Sequence, residues 1–214
     1  SAVHKILQEL LLEEKENKKT YSLDNLEYKY EEYLALSGKN KIRGSKDFLI
    51  EEMDISKYDI PGVSQVVLVK KLKEIQVLVG FSRLQPISVA DMDDPHFVSI
   101  KQEDDNWYPG FEVRGEGIFI QFDMNKLSKW AESPFVIKRK EILLDNYEHS
   151  TMNGRIHEYL DASFILLHTI SHLLIKQLSY ECGYNIASLR ERIYYMPEKD
   201  PETKMAGILI YTAS

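Results

Sequence analysis

Residues 161–183 read Asp161-Ala-Ser-Phe-Ile-Leu-Leu-His-Thr-Ile-Ser-His-Leu-Leu-Ile-Lys-Gln-Leu-Ser-Tyr-Glu-Cys-Gly183, and this stretch decides the fold class. Leu166, Leu167, Ile170, Leu173, Leu174 and Leu178 leave little polar surface at helical spacing, which predicts a buried helix over 161–182. Gly183 stands where a left-handed C-cap belongs. Downstream, residues 188–196 alternate: Leu189, Glu191 and Ile193 fall on one side of an extended strand, and Arg190, Arg192 and Tyr194 on the other. A further strand is expected over 205–213, beyond a polar loop at 197–204.

Toward the N-terminus the periods change. Residues 1–36 carry leucines and tyrosines at helical spacing, with Asp24 a cap for the second part, and residues 37–45 form a polar basic loop. After Pro61-Gly62, residues 63–81 are rich in β-branched side chains, and Ile75, Val77, Val79 and Phe81 alternate as in a strand. Residues 85–109 read as a long surface loop. Residues 111–122 read as a hairpin that turns at Gly115-Glu-Gly117. Asp123 caps a short helix holding Leu127 and Trp130, and residues 133–157 are mixed, with a basic knot at Lys138-Arg139-Lys140. The expectation is an α+β fold: a central buried helix on a mostly antiparallel sheet, with a helical N-terminal segment. The division is a helical segment and basic loop at 1–60, then an α+β domain at 61–214.

Composition narrows the function. A formal net charge of −7 argues against free binding to DNA, because that binding rests on cations that neutralise phosphates. Any contact with DNA must come from a local patch or through a partner. The single cysteine, Cys182, allows no internal disulfide and no cysteine-rich zinc module within these residues, and it suits a reducing cytoplasm. The apolar run 162–175 is too short and too polar to span a membrane, so no membrane role is expected.

Three constellations carry chemistry. His168 and His172 stand one helical turn apart, a spacing that chelates a transition metal when a third ligand is supplied. The residue after the first histidine is Thr169, not the glutamate a metalloprotease uses as general base. Buried histidines are more commonly hydrogen-bonded core or interface residues, so no metal or other cofactor is assigned. Arg190 and Arg192 project from one strand face, where they could hold phosphates bidentately with Tyr194 or Tyr195 stacking on a base. The plainer account is a solvated face with an internal Arg–Glu pair. Arg83 and Arg114 stand at strand ends, with Glu112 and Glu116 as economical ion-pair partners. Glu202-Thr-Lys204 matches one fragment of a nuclease motif but sits in a proline-rich loop. The sequence holds no phosphate-binding Gly-x4-Gly-Lys-Ser/Thr loop, no dinucleotide-binding glycine pattern and no nucleophile elbow. A non-catalytic chain is expected.

Several segments share a pattern: residues 166–175, Glu181-Cys-Gly-Tyr184, Ser188-Leu-Arg-Glu-Arg-Ile-Tyr194 and Ala206-Gly-Ile-Leu-Ile-Tyr-Thr212. With Tyr28-Lys-Tyr-Glu-Glu-Tyr33, residues 72–83, and Glu112-Val-Arg-Gly-Glu-Gly-Ile-Phe119 ahead of Trp130, they resemble the C-terminal region of the DrmB family. These are helicase-associated subunits of bacterial DISARM anti-phage systems, and they share a domain with MrfA-like helicase proteins. The resemblance covers about residues 26–213. It implies a partnership with an SNF2-like, DrmA-like helicase and access to DNA through that complex. The four-cysteine zinc site of MrfA-like relatives does not carry over, because only Cys182 is present. The family continues beyond the position of Ser214 and has a helicase-like portion ahead of this region, so the chain reads as a C-terminal fragment or a truncated relative.

The expected function is a non-catalytic DNA-binding or assembly module whose polar face comprises Arg83, Arg114, His168, His172, Arg190, Arg192 and Tyr194. The alternatives are a metal-dependent enzyme built on the histidine pair and a purely structural docking domain.

Overall fold

A computed structural model describes residues 20–40, 45–82, 96–101, 107–150, 160–197 and 203–212, with residues 20–25 described in backbone only. The elements in chain order are α1 (Thr20–Leu36), β1 (Leu49–Glu52), β2 (Val63–Val77), β3 (Gly80–Ser82), β4 (Phe97–Ser99) and β5 (Gly110–Phe122). They are followed by α2 (Met124–Ala131), α3 (Pro134–Glu148), α4 (Ala162–Cys182), a single 3-10 turn, β6 (Leu189–Met196) and β7 (Met205–Thr212). The fold is α+β, with a five-stranded sheet ordered β1-β2-β5-β7-β6. The β1/β2, β5/β7 and β6/β7 pairs are antiparallel.

Two compact units divide these elements. One comprises residues up to Tyr28 together with Lys73–Val113, and the other Lys29–Leu72 together with Arg114 onward. In the first, β3 pairs antiparallel with β4, placing Gly80 opposite Ser99. Lys73 pairs with Glu112 at 3.1 Å.

The second unit holds the core. On one side of the sheet, Phe122, Leu127, Leu167, Ala206 and Ile208 are buried together, and Leu166, Ile170, Leu174, Ile193 and Tyr195 pack around them. On the other side, Phe119 and Tyr194 meet Tyr33 of α1, with ring centroids 5.7 to 6.1 Å apart. Alternation along β5, β6 and β7 therefore supplies apolar groups to both faces, and the last half of α1 closes one face while α4 closes the other.

Helix α4 forms where the sequence placed it, and its ends explain why. The Asp161 carboxylate accepts from the Phe164 amide at 2.9 Å, and Gly183 closes the helix at φ +74°, a conformation glycine adopts without a Cβ clash. The helix is not buried all round, however. Phe164, Leu167, Ser171 and Ile175 form the buried stripe, while Leu173 is 60% exposed and Tyr180 85%. Its apolar residues exceed what one packed face can absorb, which is why composition overstated its burial.

Three other expectations need correction. Residues 111–122 are not a hairpin: β5 is one continuous strand, and Gly117 lies opposite Tyr211 of β7. Neither Gly115 nor Gly117 has a positive φ, so neither makes a turn. Both are small because β7 runs close by: a Cβ at Gly115 would meet the Thr212 carbonyl, and one at Gly117 the Ile210 carbonyl. Asp24 lies inside α1 rather than at its start. Residues 134–148, read as mixed, form the regular helix α3, opened by Pro134 in its first turn. The helix over the first 19 residues and most of the long loop at 85–109 lie outside the described residues. By contrast, Asp123 caps α2 as expected, accepting from the amides of Asn125 and Lys126 at 2.9 and 3.1 Å.

Candidate functional site

Strand β6 runs beneath α4, and consecutive residues on it face opposite sides of the sheet. Glu191 turns toward the helix. Its Oε1 lies 3.1 Å from Nε2 of His168 and 3.5 Å from Nε2 of His172. The two histidine Nε2 atoms are 2.9 Å apart, because residues four apart on a helix share a face. Glu191 Oε2 contacts the hydroxyl of Ser171, a fully buried residue on the intervening turn. That hydroxyl is also 2.9 Å from the His168 carbonyl. The histidine side chains are 46% and 58% exposed and Glu191 24%, so the cluster sits at the rim of the α4–sheet interface and opens outward.

Arg192, one residue further on, turns the other way. Its Nη2 donates to Glu32 Oε1 at 3.0 Å, and its Nε lies 2.7 Å from Glu32 Oε2 as an ion-pair contact without hydrogen-bond geometry. Tyr194 donates to Glu32 Oε2 at 3.1 Å. Burial opposes the charge on Arg192, but Glu32 together with Tyr194 and Tyr211 offsets it and the guanidinium pKa is raised. Burial first, and the Glu32 charge second, raise the Tyr194 phenol well above its ordinary range. At 1% exposure Tyr194 is a core residue with no face to offer a base.

The polar face expected from sequence is thus split by the sheet. His168 and His172 lie on the α4 side, whereas Arg192 and Tyr194 lie on the α1 side. Arg190 is exposed on β6, opposite Tyr211 of β7. Arg114 is in mid-β5, with Nη1 3.6 Å from Asp47 rather than beside Glu116. Glu116 meets Tyr184 and Thr212 instead. Arg83 lies outside the described residues, as does Glu202. The internal Arg–Glu pair of β6 does not form, since adjacent residues on a strand point apart. Sequence reading passed over Glu32 and Ser171 and gave Glu191 the wrong partner. The available signal was a lone carboxylate, Glu191, on the otherwise apolar face of β6.

The motif pattern finds its counterpart among curated proteins. Over 201 residues, 90% of its length, the chain is 33% identical to the DISARM protein DrmB of Bacillus paralicheniformis. This chain is similar to DrmB. The chain spans 35% of the DrmB relative, which accords with a match to one region of that longer protein. No family model matches the chain. Among the described residues, no helix is long and apolar enough to cross a membrane.

Proposed function

We propose that this chain is a non-catalytic module of a bacterial DISARM-type anti-phage complex, acting in the cytoplasm to join an SNF2-like helicase partner to DNA. The observation that carries this reading is the similarity to DrmB along nine-tenths of the chain. The lack of any nucleotide-binding or nucleophile motif in the sequence supports a binding role over ATP hydrolysis.

The geometry favours assembly over free DNA binding. Strand β6 ends the sheet among the described residues, and an edge strand is a place where a partner adds by backbone pairing. Arg190 is exposed on that strand, while Arg192 is committed to Glu32. With a net charge of −7, DNA is held through a small basic patch in concert with the helicase.

The test is co-purification of the chain with its cognate helicase, followed by DNA affinity measured across a salt series. Stable assembly, with tighter and salt-dependent DNA binding by the pair than by either protein alone, is the expected result. If the helicase neither co-purifies nor gains DNA affinity, the reading fails.

A further inference from the structure

We infer that His168, His172 and Glu191 form a binding site for one first-row divalent transition-metal ion of the zinc class, with an open coordination position toward solvent. The three ligating atoms lie within 4.8 Å of one another. Two of them come from one turn of α4 and the third from β6, so the site joins two elements that the core already fixes in place. This inference is independent of the assembly role, since it rests on geometry and not on the resemblance to DrmB.

The distances decide in favour of a cation. An imidazole nitrogen has a single in-plane bonding direction, yet Nε2 of His168 is within hydrogen-bond reach of both His172 Nε2 and Glu191 Oε1. Hydrogen bonding satisfies at most one of those contacts. A metal satisfies all three at once. The sides 2.9, 3.1 and 3.5 Å define a circle of radius about 1.8 Å. A point about 0.9 Å out of the plane is therefore about 2.05 Å from each atom, the bond length zinc takes to imidazole and carboxylate. Ligand atoms around a tetrahedral ion with such bonds are about 3.3 Å apart, and cis ligands of an octahedral ion about 2.9 Å, so the triangle fits one face of either.

The donor set and its surroundings agree with that assignment. Two imidazoles and a carboxylate suit zinc, iron or cobalt rather than calcium or magnesium. Ser171 touches the second oxygen of Glu191, the kind of outer contact that holds a ligating carboxylate in place. The exposed side of the cluster leaves room for water as a further ligand, as in sites with three protein ligands. Thr169 occupies the position of the metalloprotease base, so the site is not assigned protease chemistry.

The experiment uses the full chain, purified without an affinity tag and stripped with a chelator. Zinc binding is followed by competition with a chromophoric chelator, and cobalt(II) binding by its visible absorption. We expect one ion per chain, and a cobalt spectrum that departs from that of the hydrated ion. His172→Gln, at a largely exposed position, should weaken zinc binding at least about 100-fold while far-ultraviolet circular dichroism is unchanged, and Glu191→Gln should weaken it about 10- to 100-fold. Thr169→Val, on the same turn, should leave it unaltered. A hydrated-ion cobalt spectrum in the unsubstituted chain overturns the site whatever the variants do. Stoichiometric zinc retained at full affinity by folded His172→Gln overturns it equally, since other donors would then hold the metal.

Discussion

Glu32 of α1 and Arg192 of β6, 160 positions apart in sequence, form a hydrogen-bonded ion pair on the face of the sheet opposite the histidines. The same carboxylate accepts from Tyr194, so one acidic residue ties a helix to two positions of the strand. This triad pins the last half of α1 over the Tyr33–Phe119–Tyr194 aromatic cluster. It also removes Arg192 from the groups available to phosphate.

Breaking the triad should cost stability rather than assembly. Arg192→Ala is expected to lower unfolding free energy by about 1 kcal/mol, because the pair is roughly 40% exposed and water screens it. Tyr194→Phe should cost about 1.5 to 3 kcal/mol by removing one hydrogen bond to a charged acceptor. Urea denaturation of each variant and of the double variant measures the coupling. Additive losses would show that Glu32 does not link them.

Two buried phenols and one half-buried phenol set an alkaline limit. Burial raises the pKa of Tyr33, Tyr194 and Tyr195, and for Tyr195 the hydrogen bond to Asp161 adds to it. The folded chain thus binds these protons more tightly than the unfolded chain does. Their stabilising effect is fully present below pH about 10, the unfolded phenol pKa, and is lost as pH rises through the folded-state values. Phenolate absorbance should show most tyrosines titrating first and these three only as the fold is lost. Smooth titration of all thirteen tyrosines near pH 10 would contradict this.

Asp161 serves two partners. One oxygen caps α4 at the Phe164 amide, and the other accepts from the Tyr195 hydroxyl at 2.5 Å. Asp161→Ala removes both and should destabilise by about 2 kcal/mol. Asp161→Asn keeps an acceptor for one of the two donors and should lose less. Thermal melts of the pair give the ordering.

How much of this was legible in sequence follows from the range of each interaction. Helix α4 was readable because its signals are local: a capping aspartate, a closing glycine and apolar residues at helical spacing. The alternation of β6 was readable for the same reason, and it correctly separated Glu191 from Arg192. What each side would meet depended on packing. Glu191 finds its histidines only because β6 lies beneath α4, and Arg192 finds Glu32 only because α1 folds back over the far face. Gly115 and Gly117 misled because a glycine pair that gives room to a neighbouring strand looks, in one dimension, like a turn.

Those glycines supply a sharp test of the continuous β5. A Cβ at Gly117 would press on the backbone of Ile210 and Tyr211, and one at Gly207 would come within 2.8 Å of the Phe119 ring. Gly117→Ala is expected to cost more than about 2 kcal/mol, since backbone and not a pliant side chain must yield. A turn glycine without positive φ would tolerate the change. Near-neutral stability on denaturant unfolding would restore the hairpin.

On the proposed role, the two arginines of β6 should behave differently toward DNA when the chain is assembled with a helicase. Arg190 is exposed on the edge strand, and on the proposed role Arg190→Ala should lower the salt slope of DNA affinity by about one unit. Arg192 is committed to Glu32, so Arg192→Ala should leave the slope within error while shifting the denaturation midpoint. The contrast separates contact from stability, because a merely destabilised complex loses DNA affinity without changing its salt dependence. Equal slopes for Arg190→Ala and the unsubstituted chain would remove β6 from the DNA interface and leave it as an assembly edge alone.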